Sequence, residues 1–167
     1  MDTPTTFEYR QQRIVPQEDK DFDKTQSVFQ QILNGYDVNF TQTGLFDPTD
    51  MRFEYTATNG AIRKFNVEIK ARNQDMGKYD DLPLKVSKYC DMRGDTQPDE
   101  KLLYVVLLND TDYFIYDLEK IDWNMVQCRN WVINDYEYNP DGHRKKIKVP
   151  TFFFPISMAC THGIIPQ

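Results

Sequence analysis

The sequence has few cysteines, and none of them is placed as in a cysteine-based site. The three residues Cys90, Cys128 and Cys160 lie far apart, and no C-x-x-C spacing occurs. Neither a disulfide framework nor a zinc site is therefore indicated. We expect a protein of a reducing compartment.

Long apolar segments are also missing. The longest apolar run, residues 102–108, is far shorter than the roughly 20 residues that span a bilayer. Residues 1–6 lack the charged and then apolar pattern of a secretion signal. These two absences predict an intracellular, cytoplasmic protein that makes no membrane contact.

The chain has fewer basic than acidic residues: 20 lysines and arginines against 26 aspartates and glutamates, which gives a net charge of −6. DNA binding without sequence preference depends on basic groups that neutralise phosphates, so this balance argues against bulk attraction to nucleic acid. Basic residues nevertheless cluster within residues 63–72 and 143–148. These clusters are compatible with a local positive groove. The second cluster also fits a solvated hairpin strand.

The chain contains enough apolar material for one core. Of its 167 residues, 40% are hydrophobic and 14% aromatic. A chain of this size buries about 68–70% of the surface that it exposes when unfolded. We expect a single domain over residues 1–167, without internal repeats.

The run 64–72 is the most informative part of the chain. Apolar and polar side chains alternate along it, with Phe65, Val67 and Ile69 on one side and Asn66, Glu68 and Lys70 on the other. Alternation with a period of two predicts a strand. Glu68 and Lys70 then share one face, which places a carboxylate beside an amine.

A second acidic residue, Asp50, begins an earlier strand-like run that extends to Ala57. Between the two runs, residues 58–60 are threonine, asparagine and glycine, a strong turn signal. The two strands are therefore predicted to form a β-hairpin, with the acidic residues at the end away from the turn.

The register of this hairpin follows from the match of its apolar faces. A three-residue loop with a left-handed glycine opposes Phe53 to Phe65 and Asp50 to Glu68. A two-residue turn would oppose Phe53 to Asn66, so the apolar faces would not match. Opposed carboxylates about 4.5–5.5 Å apart repel each other unless a proton or a cation lies between them. Mg²⁺ favours oxygen ligands of this kind, so the hairpin is a candidate metal site.

This order of elements resembles the PD-(D/E)XK nuclease superfamily. The resemblance covers about residues 20–120: a helix, Asp50 at a strand start, Glu68-x-Lys70 in the next strand, then a helix and two further strands. It implies an α/β fold with a central mixed β-sheet flanked by helices, a restriction-endonuclease-like core.

The resemblance implies a metal-dependent nuclease that hydrolyses phosphodiester bonds in DNA. Asp50 and Glu68 would be catalytic and, together with the main-chain carbonyl of Ile69, would hold Mg²⁺ or Mn²⁺. Water would be the nucleophile. Lys70 would orient that water or neutralise the phosphate.

Two positions depart from the pattern of the family. Thr49 precedes Asp50, where the family often has proline. Many relatives place a glutamate on the first helix, but the predicted helix offers Gln30 and Gln31, and Glu18 lies just ahead of it.

Three further residues are candidate contacts to nucleic acid. Lys85 and Tyr89 lie four apart in the predicted second helix and so share a face. The pair resembles the Q-x-x-x-Y element of RecB-like relatives, with lysine in place of glutamine. Arg72, at the basic end of the predicted strand, is the third. A surface lysine beside a half-buried tyrosine is the ordinary alternative for the pair.

Two alternatives accompany the nuclease prediction. A carboxylate and an amine two apart on a strand also occur as a solvated face with a cross-strand charge pair. The alternative function is a catalytically inactive protein of the nuclease fold, a subunit or inhibitor whose acidic surface binds a protein partner. A homodimer is a further option.

Periodicity and capping predict the elements of the first half. Residues 1–17 form an N-terminal arm, and a helix capped by Asp21 or Asp23 continues to Asn34 and ends at Gly35. Its apolar stripe consists of Phe22, Phe29, Ile32 and Leu33. The predicted strands are 36–41, 50–57 and 62–72.

The second half is predicted to begin with a helix over 81–92 that has Pro83 in its first turn. Its inward residues are Leu82, Val86, Tyr89 and Cys90. Strands at 102–108 and 113–118 follow. Residues 121–167 form a C-terminal extension without assigned function, in which 131–138 and 146–149 pair as an added hairpin.

Overall fold

The computed structural model describes residues 15–44, 47–73, 80–138 and 144–166. This part of the chain forms two α-helices, nine β-strands and one short 3-10 turn at Ile156–Met158. In chain order the helices and strands are α1 (Val15–Ile32), β1 (Val38–Gln42), β2 (Met51–Thr56), β3 (Ile62–Arg72), β4 (Asp81–Lys85), α2 (Val86–Asp95), β5 (Glu100–Leu108), β6 (Asp112–Asp117), β7 (Gln127–Tyr138), β8 (Arg144–Pro155) and β9 (Thr161–Ile164).

Six strands form a mixed central sheet in the order β1-β2-β3-β5-β6-β9. Neighbours are antiparallel except β3 and β5, which run parallel and are connected through β4 and α2. A parallel pair needs such a crossover because the chain must return to the edge at which the first strand began. The predicted α/β class, with a central mixed sheet and helices, is confirmed.

The two faces of the central sheet carry separate hydrophobic cores. On one face, Val28 and Phe29 of α1 belong to a cluster that includes Val105 of β5. On the other face, Met92 of α2 and Phe154 of β8 belong to a second cluster. A smaller sheet, in the order β4-β8-β7, covers this second face together with α2. From Leu102 to Leu108, β5 has no charged residue and is buried on both faces.

The hairpin of β2 and β3 has the predicted register. Phe53 pairs with Phe65, and their rings stack with centroids 4.5 Å apart. Ala57 and Ala61 close the loop through a backbone hydrogen bond, so residues 58–60 form the predicted three-residue connection. Gly60 has a φ of +79°, which is the expected left-handed conformation.

The first helix begins earlier than predicted. α1 starts at Val15, so Asp21 and Asp23 lie inside the helix and do not cap it. Acidic side chains are also tolerated along an exposed helix face, and acidity alone therefore does not locate a helix N-terminus. Ile32, predicted to face inward, is 41% exposed. Of the predicted N-terminal arm, residues 15–17 are helical and residues 1–14 lie outside the described part.

The end of the first helix agrees with the sequence. Gly35 follows α1 with a φ of +92°, a conformation that favours glycine at a helix end. The first strand is shifted slightly along the chain, because β1 covers Val38–Gln42 where residues 36–41 were predicted.

The second predicted helix is divided into a strand and a shorter helix. Residues Asp81–Lys85 form β4, in which Leu82 pairs with Phe154 of β8, and the helix begins only at Val86. Pro83 therefore lies in a strand and not in a first helical turn. Leu82, Pro83 and Leu84 are all buried, as in a short strand that is covered on both faces, and the pairing with β8 makes this segment a strand. Cys90, predicted to face inward, is exposed.

The C-terminal segment contributes to both sheets. β7 and β8 form the predicted hairpin, but both strands are longer than 131–138 and 146–149, and β8 also pairs with β4. β9 pairs with β6 at the edge of the central sheet. Within the described residues, neither helix has the length and apolarity that crossing a membrane requires.

Candidate functional site

Asp50 lies immediately before β2 and is held against β3 by two hydrogen bonds. Its N–H donates to the carbonyl of Val67 at 2.9 Å, and its carboxylate accepts the N–H of Ile69 at 2.7 Å. Asp50 thus continues the hairpin register by one residue and lies beside the Glu68 segment of β3. Its carboxylate is anchored by the backbone and not by a mobile side chain.

Glu68 is a fully buried carboxylate in the middle of β3. Its Oε1 lies 2.6 Å from Nζ of Lys70, and its Oε2 lies 3.0 Å from Nζ of Lys88 on α2. Neither oxygen has a hydrogen-bond partner of acceptable geometry among the described residues. Burial raises the pKa of Glu68 to about 7, and Asp50 adds to the rise, whereas Lys70 and Lys88 oppose it. Glu68 therefore has a charge that depends on pH near neutrality.

The ammonium of Lys70 lies among three oxygens. Its Nζ is 2.6 Å from Glu68 Oε1, 3.1 Å from the carbonyl oxygen of Ile69 and 3.8 Å from Asp50 Oδ2. Burial acts to lower the pKa of Lys70, but the carboxylates of Glu68 and Asp50 raise it above its ordinary value. A cation therefore already lies where the sequence resemblance expects one, in contact with each of the three expected ligand groups.

The three groups around Lys70 are oxygen donors of the type that divalent cations such as Mg²⁺ prefer. Mg²⁺ is usually held by one or two carboxylates, with water completing its octahedron, which suits Asp50, Glu68 and the carbonyl of Ile69. Both oxygens of Glu68 already lie against ammonium groups, so they are placed to contact positive charge. Among the described residues, no three histidine, cysteine, aspartate or glutamate side chains come close enough to form a metal site by themselves. The carbonyl and water would have to complete the coordination.

Lys88 is the site residue that sequence reasoning missed. The predicted helix over 81–92 suggested Lys85 and Tyr89 as the residues near the site. In the structure the helix begins at Val86, and its lysine at the site is Lys88, which contacts Glu68 of β3. The short apolar run Leu82-Pro83-Leu84 was the signal that could have indicated a strand ahead of the helix.

The predicted shared helix face of Lys85 and Tyr89 is wrong. Lys85 is the exposed last residue of β4, with an extended backbone, and it lies outside α2. Tyr89 packs its ring against Trp123 and Phe152, with centroids 5.1 and 5.6 Å away. Its ring belongs to an aromatic cluster and does not form a pair with Lys85.

Arg72 is the last residue of β3 and is partly buried. It lies on the same side of the strand as Glu68 and Lys70, four and two residues away, and its Nε has no hydrogen-bond partner among the described residues. Its guanidinium acts on the buried Tyr104, whose pKa is raised by burial and lowered by Arg72. Arg72 therefore adds positive potential to this end of β3.

A cleft of about 400 Å³ opens beside Asp50 and Lys70. The first turns of α1 supply its opposite wall, with Gln17, Glu18, Asp19 and Asp21. Glu18 thus lies in the first turn of the helix and not ahead of it, and it lines the same cleft as the two site residues. Asp21 is half-buried there, and burial raises its pKa although Gln17 and Lys70 act to lower it. The cleft is consequently acidic.

Comparison of the chain with models of protein families, with curated proteins and with solved structures finds no match. A functional assignment therefore depends on the geometry around Glu68 and on the motif that carries it.

Proposed function

We propose that this protein is a metal-dependent nuclease that hydrolyses phosphodiester bonds in DNA, with Asp50, Glu68 and Lys70 as its catalytic residues. One observation carries the proposal: Lys70 Nζ is surrounded by Glu68 Oε1 at 2.6 Å, the Ile69 carbonyl at 3.1 Å and Asp50 Oδ2 at 3.8 Å. These are the groups that the resemblance assigns to a catalytic cation.

The order of the elements supports the restriction-endonuclease-like core. α1, β2 with Asp50 just before it, β3 with Glu68 and Lys70, α2 and then β5 and β6 occur in the order of the PD-(D/E)XK pattern, with β1 between α1 and β2 and β4 between β3 and α2. The first helix adds Glu18, which lines the cleft beside Asp50. This is the side of the site on which many relatives carry a helical glutamate.

Mg²⁺ or Mn²⁺, when bound, would supply an activated water and stabilise charge on the scissile phosphate. Asp50 would hold its carboxylate in place through the N–H of Ile69. Glu68 would act in its ionised form, which Lys70 and Lys88 favour. Lys70 would leave the ligand oxygens and turn toward the phosphate, where it neutralises charge or orients the water.

A catalytically inactive interaction protein of the same fold is the second candidate, and one observation favours it. Lys70 and Lys88 compensate the buried charge of Glu68 without a metal. In such a protein the ion pairs would be structural, and the acidic residues of α1 would bind a basic protein partner.

Metal titration and DNA cleavage by Asp50→Asn and Glu68→Gln separate the two candidates. Both substitutions keep the shape of the side chain but remove ligand charge, so Mg²⁺ affinity should fall and cleavage should be nearly lost. Glu54→Gln, at an exposed position of β2, is the matched control and should behave like the parent. A parent that neither binds Mg²⁺ nor cuts linear, nicked or branched DNA would favour the interaction protein.

A further inference from the structure

The hairpin of β7 and β8 is longer than β4, the third strand of the small sheet, and extends past it. β4 pairs with β8 only at Thr151–Pro155, whereas β7 pairs with β8 back to residue 144. Residues 130–134 of β7 and 146–150 of β8, which pair with each other, thus form a two-stranded projection, here named the hairpin arm. At its base, near Thr151, the arm joins the three-stranded part of the small sheet, which covers the second core.

The hairpin arm concentrates positive charge in an acidic protein. β8 begins with Arg144, Lys145, Lys146 and, two residues later, Lys148, and it contains no acidic residue. Lys146 and Lys148 are exposed, and the residues directly opposite them, Asn134 and Val132, are uncharged. Neither lysine forms an ion pair with another described residue.

These two lysines share a strand face with Phe152, which packs against α2. Side chains two apart on a strand share a face, so Lys146, Lys148 and Phe152 point the same way. The Phe152 ring packs against Tyr89 of α2, with centroids 5.6 Å apart. The residue before Tyr89 is Lys88, whose Nζ lies 3.0 Å from Glu68. The helix that Phe152 packs against is therefore the helix that carries Lys88.

The spacing of the two lysines suits an extended polyanion. At about 3.4 Å per residue, Lys148 and Lys146 lie roughly 14 and 20 Å along the strand from Phe152. The two lysines lie about 7 Å apart on one strand face, a spacing at which one extended phosphate backbone can contact both. The chain as a whole has a net charge of −6 and does not attract phosphates. The two lysines supply the local positive charge that neutralises them.

We propose that Lys146 and Lys148 of the hairpin arm bind the phosphate backbone of the nucleic acid that the Glu68 site acts on. The proposal rests on the nuclease function proposed above for its substrate, but the binding surface itself does not depend on cleavage. It assigns to the C-terminal hairpin the electrostatic part of substrate binding.

The test is DNA binding measured by fluorescence anisotropy on a labelled duplex, in EDTA so that cleavage does not intervene. The variant is the double substitution Lys146→Gln and Lys148→Gln in the full chain. The matched control is Lys20→Gln with Lys120→Gln, which removes the same charge from two exposed positions elsewhere. Each lysine removed from a phosphate contact lowers the salt dependence of log K by about 0.9.

We expect the arm variant to lose at least tenfold in affinity and about two units in the salt slope, whereas the control keeps the parental slope. The proposal is overturned if the parent binds no DNA, if the arm variant has the parental slope, or if the control loses as much. A parent that binds through the arm but cuts nothing in Mg²⁺ would support this surface and refute the nuclease. A parent that cuts, with an arm variant that binds normally, would refute only this surface.

Discussion

At the scale of single residues, Glu68 combines full burial with two lysine neighbours. Removal from water favours the protonated carboxyl, whereas Lys70 and Lys88 at 2.6 and 3.0 Å favour the carboxylate. Burial is the larger influence, so the pKa of Glu68 is raised to about 7. The residue is therefore stabilised in the fold when protonated and destabilised when charged.

The first prediction is a pH dependence of stability that Glu68→Gln removes. The folded pKa of about 7 lies above the unfolded value of 4.5, so the folded state holds the proton more tightly between these two values. The contribution to stability is complete below the unfolded pKa and is lost as the pH rises to about 7. It amounts to up to about 3 kcal/mol.

Denaturant unfolding in EDTA, across this pH window, is the measurement. The parent should lose more stability than Glu68→Gln as the pH rises, so that the variant is the more stable protein above neutrality. Parallel pH profiles for the two proteins would show that burial of this carboxylate has no energetic consequence.

The second prediction separates the two lysines. Above the pKa of Glu68, Lys70→Ala should keep or slightly increase Mg²⁺ affinity because a competing ammonium is gone. Turnover should fall by about 10²-fold or more, as for the loss of a typical oxyanion-stabilising donor. Both Lys88→Ala and Lys70→Ala should shift the onset of Mg²⁺ binding to higher pH, because both lysines act to lower the pKa of Glu68, so the two variants differ in their turnover above that pKa.

Calorimetric Mg²⁺ titrations at several pH values, together with cleavage assays, distinguish these roles. Identical metal binding and turnover in both variants and the parent would mean that neither ammonium takes part in the site.

At the scale of elements, α2 is fixed over the site at both of its ends. Near its start Lys88 contacts Glu68, and at its last residue Asp95 accepts from Arg52 of β2 at 2.6 Å. Asn66 of β3 donates to Asp95 and to Thr96 from the same strand face as Glu68. The helix therefore bridges the two strands of the hairpin that carries the candidate catalytic residues.

The third prediction concerns the turn of that hairpin. Gly60→Ala should destabilise the protein by about 1–2 kcal/mol, because its φ of +79° is unfavourable for a residue with a Cβ. No atom lies within 4 Å of the added Cβ, so the cost is conformational and not steric.

Gly94→Ala in α2 is the matched control. It also adds a Cβ to open space, but in a helix, where alanine is favoured by roughly 0.5–1 kcal/mol. Thermal unfolding of both variants should therefore show shifts of opposite sign, and shifts of equal sign would contradict this account of the turn.

At the scale of the whole molecule, the C-terminal residues complete the core on the α1 side. β9 pairs with β6, and the following Ile165 donates its N–H to Thr111 at 2.8 Å. The Ile165 side chain is 2% exposed and belongs to the cluster that contains Val28 and Phe29. Packing at the far end of the chain thus supports the helix that lines the cleft.

The fourth prediction compares two neighbouring isoleucines. Ile165→Ala should cost about 2–4 kcal/mol, because it leaves a cavity in a packed core. Ile164→Ala should change stability by about 0.5 kcal/mol or less, since Ile164 is 73% exposed and surface substitutions have small effects. Denaturant midpoints with unchanged slopes would report the difference, and equal losses at both positions would argue against this placement of the C-terminus.

The sequence by itself determined the features that depend on local periodicity. The alternation in β3, the left-handed Gly60 and the match of apolar faces specified the hairpin register, and with it the approach of Asp50 to Glu68 and Lys70. These features follow from a period of two and from the geometry of one short turn, so residues close in the chain suffice to define them.

Only the tertiary structure decided the features that depend on distant partners. Residues Asp81–Lys85 became a strand because β8, about seventy residues later, pairs with them, and this moved the start of α2 and turned Lys88 toward Glu68. The cleft likewise needed α1 packed against the sheet before Glu18 could line it beside Asp50. Local propensity does not predict such pairings, because the apolar burial that stabilises them arises only when both segments have come together.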